Sequence, residues 1–156
     1  MFSYHKRDLC SPCFEEGDNL ILHVVNNVGK FAKGVAASIA RDYPSAKRDY
    51  ENWMRYSKPE LGSISVSFCK RGAWNFSIVH LLAQGGLPSK NNPHPCDVDK
   101  LAVCLDTVSR LAAGSDVPVT FHIPKLGCGY GGATWDVVEH IVSEHLVGGE
   151  IHVYEV

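Results

Sequence analysis

Two short stretches of this chain carry residue types whose spacing could do chemistry. In His23-Val24-Val25-Asn26-Asn27-Val28-Gly29-Lys30-Phe31-Ala32-Lys33-Gly34 a histidine interrupts an apolar run, and two amides and a glycine-bearing turn follow it. In Pro124-Lys125-Leu126-Gly127-Cys128-Gly129-Tyr130-Gly131-Gly132-Ala133-Thr134-Trp135 four glycines separate an apolar run from a helically periodic one. Glycines let a ligand come close to backbone N–H groups beside the positive end of a helix, and phosphate is the natural guest. A neutral imidazole such as that of His23 can take a proton from water or attack phosphorus, although the same position suits a hydrogen-bonded core histidine. Asn26 and Asn27 fit two compatible uses, turning the chain and hydrogen-bonding sugar hydroxyls.

Other candidates are weaker. Cys128 sits in the second glycine loop, but a cysteine phosphatase needs an arginine six residues later, where this chain has Thr134; Cys128 reads better as a small residue near the ligand. Asp97-Val98-Asp99 reads as helix capping and first-turn charge. Neither loop closes in Gly-Lys-Ser or Gly-Lys-Thr, and neither is a Gly-x-Gly-x-x-Gly with a following acidic residue, so nucleoside triphosphates and nicotinamide lose ground. Cys10-Ser11-Pro12-Cys13 has the spacing of half a zinc knuckle, and His94 and Cys96 could complete four ligands. With no second Cys-x-x-Cys, neither a metal nor a cofactor is expected.

These loops must be held by elements that repeat a pattern. An apolar strand over 19–25 feeds the first loop and a helix beginning at Val35; an apolar strand over 117–123 feeds the second and a helix over Trp135 to Leu146. Thr134 stands where an N-cap belongs. Pro44 breaks the first helix and starts another, which carries Tyr50 and Trp53. Alternation over 61–69 and an apolar run over 74–82, joined by Lys70-Arg71-Gly72-Ala73, form a hairpin. The segment from Ala83 to Pro95 reads as a loop that could serve as a lid, and a helix from Val98 to Ala112 follows it. Short strands over 2–6 and 150–156 bracket the chain. Six strands and about four helices imply a mixed α/β sheet covered on both faces, with both glycine loops at the carboxyl ends of strands.

The 156 residues are 45% hydrophobic, which supports one core and therefore a single domain spanning 1–156. A formal net charge of −2 argues against non-specific nucleic-acid binding, which usually leaves a basic face; no specific nucleic-acid binding is expected either, and backbone amides must hold much of any phosphate. No stretch is apolar for the length of a membrane span and no signal-peptide core follows the N-terminus, so a soluble, intracellular, cytoplasmic protein with reduced thiols is expected.

The His23–Ala36 stretch, the following Arg41-Asp42-Tyr43-Pro44-Ser45-Ala46-Lys47 and the Gly127–Trp135 loop, in that order, resemble the macrodomain family. They are most similar to the branch containing the yeast ADP-ribose 1''-phosphate phosphatase and the human terminal ADP-ribose protein glycohydrolase. The resemblance implies a three-layer α/β/α fold with an ADP-ribose cleft. It implies that Asp8 accepts from the adenine amino group and that Asn26 holds the distal ribose. Gly34, Val35 and Ala36 would form one diphosphate loop, and Gly127, Cys128, Gly129, Tyr130, Gly131 and Gly132 the other. His23 matches a histidine of the phosphatase-like branch. Lys33 stands where a glycine is common, Gly131 where the glycohydrolase has an aspartate, and Leu81-Leu82-Ala83 where it has its lysine. The resulting expectation is hydrolysis of ADP-ribose 1''-phosphate with His23 and Asn26 as the catalytic pair. The alternatives are a glycohydrolase or deacylase, and a non-catalytic reader of ADP-ribosylated protein.

Overall fold

A computed structural model describes residues 2–156. In chain order the elements are β1 (Phe2–Lys6), β2 (Asp18–Asn26), α1 (Gly34–Asp42), α2 (Pro44–Asn52) running into a π-helical turn (Trp53–Ser57), β3 (Ile64–Arg71), β4 (Trp74–Gln84), α3 (Val98–Ala113), β5 (Val119–Ile123), α4 (Trp135–His145) and β6 (Glu150–Glu155). The six strands form one sheet in the order β1-β6-β5-β2-β4-β3. All neighbours are parallel except β3, which pairs antiparallel with β4 through a turn at Gly72. Helices cover both faces, so the fold is the expected three-layer α/β/α arrangement with a mixed six-stranded sheet.

Period-two alternation sends successive strand residues to opposite layers. Leu22, Val79, Leu81, Phe121, Ile123 and Val153 meet Leu101, Leu105 and Val108 of α3 and Val138 and Val142 of α4. Ile21, Val25, Ile78 and Leu82 meet Ile39 of α1 with Ala46 and Tyr50 of α2. The residues between those of the first layer include His23, His80, His122 and His152, all buried, so four histidines lie on the face that α1 and α2 share. That polarity inside a core requires hydrogen-bond partners.

Local chemistry sets the element ends. Tyr43, with φ −136°, leaves helical geometry before Pro44 and its N–H closes α1 on the Ile39 carbonyl at 2.7 Å, the expected break. Asp97 caps α3 by accepting from the N–H groups of Asp99 and Lys100 at 3.0 and 3.1 Å. Several boundaries differ from the sequence reading. The fifth strand begins at Val119 rather than 117, and the third runs on through Lys70 and Arg71, which that reading places in the turn. The third strand begins at Ile64 rather than Leu61, because Gly62 holds φ +99° in a turn. The fourth strand continues through Ala83 and Gln84, which composition assigned to the loop. A register shift between Val25 and Asn26 sets Asn26 opposite Gln84, and the Asn27 N–H closes on the Gln84 carbonyl at 3.1 Å. No helix among the described residues is long and apolar enough to cross a membrane.

Candidate functional site

Parallel β2, β4 and β5 end on one rim, and a cleft of about 450 Å³ opens there. His23 to Asn26 form one wall, with Gln84, Leu87 and Pro88 beyond them. Lys30 to Ala36 supply the second side and Pro124, Lys125, Gly127 and Gly129 to Gly131 the third. The two glycine loops therefore face each other across one cavity, as their shared strand polarity requires. They also touch. A Cβ on Gly34 would lie 3.3 Å from the Tyr130 ring, and Lys33 Nζ lies 5.8 Å from that ring's centroid.

The cavity is built to receive negative charge. Helix α1 begins at Gly34 with Lys33 at its N-cap position and no side chain capping it, so its first N–H groups stay open beside the cleft. In the second loop the Gly127 carbonyl accepts from Ala133 at 2.9 Å and the Gly129 carbonyl from Gly132 at 3.2 Å, fixing its curl. The N–H groups of Gly129, Tyr130 and Gly131 have no acceptor among the described residues. Unpaired amides of this kind are free to donate to an anion in the cleft. Lys30, Lys33 and Lys125, which the sequence reading did not assign, add cationic side chains to the rim; Lys125 is shared with Glu155 at 2.6 Å.

His23 lines this cleft at 1% exposure. Its Nε2 lies 2.7 Å from His80 Nδ1, and His80 Nε2 lies 2.9 Å from Ser67 Oγ. Burial, and then the facing His80, hold the His23 imidazole well below its ordinary value, and burial pushes His80 to about 4, so both rings are neutral near pH 7. His23 Nδ1 is the one buried side-chain nitrogen or oxygen among the described residues with no partner. His80 and Ser67 were not singled out from the sequence; the alternation of His80 with Ile78 and Leu82 was the available sign.

Asn26 lies at the cleft but its side chain is largely committed. Oδ1 accepts from the N–H groups of Val28 and Lys30 at 3.0 and 3.2 Å and lies 2.9 Å from the Tyr50 hydroxyl, while Nδ2 donates to the Lys30 carbonyl at 2.8 Å. One amide hydrogen remains for a ligand. Asn27 does not line the cavity; its Oδ1 accepts from the Gly86 N–H at 2.9 Å and ties the first loop to the 85–95 segment.

Asp8, Cys128 and Gly132 also stand outside the lining set. Asp8 accepts from the Cys10 N–H at 2.9 Å and pairs with Arg41 at 3.1 Å. The Cys128 thiol contacts the Leu126 carbonyl, and burial raises its pKa, which disfavours a thiolate nucleophile. Gly132 is required by packing, since a Cβ there would sit 2.5 Å from the Pro93 carbonyl oxygen. The Cys10–Cys13 pair does not gather with His94 and Cys96, and all six cysteines are free.

No family model matches the sequence and no curated protein matches it. Solved structures do. A protein of unknown function from Bacteroides thetaiotaomicron superposes with a TM-score of 0.86 at 23% identity, over 100% of this chain and 98% of that one. A macrodomain protein from Streptomyces coelicolor gives 0.78 at 26% identity, over 100% and 99%. Thermosipho africanus DarTG in complex with ADP-ribose gives 0.70 at 16% identity, over 86% of this chain and 37% of that one. The chain thus has structural neighbours that are macrodomains and shares their fold.

Proposed function

We propose that the cleft binds ADP-ribose and that the chain hydrolyses ADP-ribose 1''-phosphate, releasing inorganic phosphate. The observation that carries the proposal is the unpartnered, buried His23 Nδ1 in the wall of a cavity rimmed by free amides and lysines. A cavity of about 450 Å³ falls within the range of small-molecule sites. The uncapped N-terminus of α1 and the Gly129–Gly131 segment line the same cavity, where their amides can serve a diphosphate, and the structure of the Thermosipho protein was determined with ADP-ribose.

The chemistry follows from tautomers. When His80 Nε2–H donates to Ser67 Oγ, His80 Nδ1 accepts from His23 Nε2–H and His23 Nδ1 is left as a bare acceptor. A water enclosed with the substrate gives its proton to that atom as its oxygen bonds to phosphorus. The bridging phosphorus–oxygen bond breaks, and the 1''-oxygen takes a proton from solvent. Loop amides stabilise charge on the remaining phosphoryl oxygens, and Asn26 orients the sugar with its remaining amide hydrogen. Glycohydrolysis of the kind implied by the resemblance is disfavoured, because Leu81, Leu82 and Ala83 are buried in the sheet and Gly131 brings no carboxylate.

The test is phosphate release from ADP-ribose 1''-phosphate by wild type, His23→Ala and His23→Gln, with calorimetry of ADP-ribose and AMP alongside. Turnover is expected to fall by about a hundredfold to ten-thousandfold in both variants while ADP-ribose affinity changes little. Full activity in either variant makes His23 a core residue only. Binding of ADP-ribose by a wild type that releases no phosphate and shows no turnover of ADP-ribosylated protein makes the chain a reader; turnover of the latter makes it a glycohydrolase.

A further inference from the structure

We propose a divalent transition-metal site, of the zinc class, at the end of the sheet opposite the cleft, with Glu15, Glu150 and His152 as its ligands. Their ligand atoms all lie within 4.8 Å of one another, and they are the one such group of three among the described residues. Glu150 and His152 stand at the start of β6, whereas the cleft opens where the parallel strands finish. Glu15 and Glu150 also line a groove of about 560 Å³, with Glu16 beside them, which gives an ion access from solvent.

Each ligand is held by a separate device. His152 is 7% exposed, and its Nδ1 lies 2.7 Å from His5 Nε2, with the two rings stacked at 4.9 Å between centroids. That contact turns Nε2 toward the Glu150 carboxylate, 3.4 Å away. Such a separation is long for a hydrogen bond. It matches the roughly 3.3 Å edge between two ligand atoms each about 2.0–2.1 Å from a tetrahedral zinc ion. In the metal-bound form Nε2 carries the ion, Nδ1–H donates to His5 Nε2, and His5 is protonated on its own Nδ1. An outer partner of this kind fixes the ring orientation of ligating histidines.

Glu15 is positioned through its backbone. Its N–H donates to Asn19 Oδ1 at 3.1 Å, and its carbonyl accepts from Asn19 Nδ2 at 2.8 Å. The amide orientation of Asn19 is thereby fixed, so its Oδ1 can only accept from His122 Nε2, at 2.8 Å. His122 Nδ1 must then accept from the Tyr154 hydroxyl, at 2.8 Å, which itself accepts from the Cys13 N–H at 3.1 Å. This buried network determines where the segment before β2 crosses the sheet, and it sets the Glu15 carboxylate over β6. Three protein ligands leave a fourth position for water. The ion would tie the connection between β1 and β2 to the last strand, joining parts of the chain about as far apart in sequence as it allows.

Equilibrium dialysis and calorimetry with Zn²⁺ on the full chain, with Co²⁺ absorption as a reporter of tetrahedral geometry, test the site. Wild type is expected to bind one ion at micromolar concentrations, to melt at a higher temperature when loaded, and to give an intense Co²⁺ d–d band. Glu15→Gln with Glu150→Gln changes exposed groups only, so it should fold normally, lose the Co²⁺ band and lose the thermal shift. His5→Phe keeps a stacking ring but removes the acceptor, and is expected to lower zinc affinity by about tenfold to a hundredfold. No binding to wild type at 100 μM, or equal affinity in the double glutamine variant, overturns the proposal; the latter would assign the ion to cysteines.

Discussion

His23 Nε2 and His80 Nδ1 meet at 2.7 Å inside the sheet, on neighbouring strands and in register. Because a neutral imidazole has one donor and one acceptor, this single contact couples the two tautomers. The Ser67 hydroxyl, 2.9 Å from His80 Nε2, can play either role and so admits both settings of the pair. Whichever way the protons run, the nitrogen without a partner is His23 Nδ1, and His23 is the member of the three that lines the cleft. In the alternative setting that nitrogen carries a proton and can only donate.

Substituting the middle of this chain therefore tests whether tautomer control matters. Ser67→Ala removes the hydroxyl that holds His80, and His80→Phe removes the partner of His23. Both are expected to lower turnover of ADP-ribose 1''-phosphate with KM nearly unchanged, by about tenfold or more, since they act on proton acceptance and not on binding. A rise in KM at unchanged kcat would mean that the histidines only shape the cleft.

The same burial makes stability depend on pH. His23 and His80 titrate below their ordinary value in the folded chain, His80 at about 4. Above about pH 6.5 both states are neutral and the contribution of these groups is complete. As pH falls below that, the unfolded chain binds protons the folded chain refuses, and stability is lost until the folded values are reached. His80 is expected to cost roughly 1.5 kcal/mol between pH 6.5 and 5, and His23 acts in the same direction. Urea melts at pH 7.5, 6.5, 5.5 and 5 should show this decline, with less of it in the His23→Leu, His80→Phe double variant. Parallel curves for the two proteins would refute it.

The two main glycine positions of the second loop differ in what they tolerate. A Cβ at Gly131 would sit on the Gly127 carbonyl oxygen and 2.9 Å from Cys96 Cβ, whereas one at Gly129 meets nothing within 4 Å. Gly131→Ala is expected to lower both the melting temperature and ADP-ribose affinity. Gly129→Ala should leave the melting temperature within about one degree and weaken ADP-ribose only if the diphosphate lies against that backbone. Equal thermal losses in both would show that the loop, not its packing on Cys96, sets stability.

Periodicity and turn chemistry made most of the fold readable. The runs over 19–25 and 117–123 end in glycine turns, and Tyr43-Pro44 announces its own break. The succession of elements along the chain and the rim shared by the two loops could therefore be placed, though not the order of strands across the sheet. What escaped notice depends on contacts between distant segments. Gln84 belongs to β4 only because Asn26 and Asn27 pair beyond the register shift, and a run containing Gly85, Gly86 and Pro88 gives no local sign of it. The His80–Ser67 extension of His23 joins residues 57 positions apart or paired across a hairpin, which no spacing rule finds. The rim lysines lie within the quoted loops but carry no role in the sequence for a different reason: exposed lysines occur everywhere, and only the fold sets Lys30 and Lys33 on the cleft.

Those lysines carry a prediction of their own. Lys30→Ala and Lys33→Ala remove exposed cations next to open amides, so each is expected to weaken ADP-ribose by about twofold to fivefold at low salt, with the difference shrinking as salt rises. Lys33→Ala should cost more, since Lys33 also sits over Tyr130, where the two loops meet. Calorimetry at two salt concentrations reads both effects. Variants that bind as tightly as wild type at low salt would leave the diphosphate to the backbone alone.

Asp8 poses the sharpest remaining question about the ligand, because its carboxylate already serves the protein. One oxygen accepts from the Cys10 N–H and the other pairs with Arg41, which also holds Asp42 at 2.8 Å. If Asp8 also accepts from adenine, Asp8→Asn should retain most ADP-ribose affinity, since an amide oxygen can still accept, while Asp8→Ala should lose about tenfold or more. Neither should alter binding of ribose 5-phosphate. Arg41→Ala leaves the carboxylate free for the base, so ADP-ribose should bind it no more weakly than wild type. Loss of affinity for ribose 5-phosphate along with ADP-ribose in Asp8→Ala, or a loss in Arg41→Ala equal to that in Asp8→Ala, would show that the ion pair shapes the 8–13 segment and does not read the base.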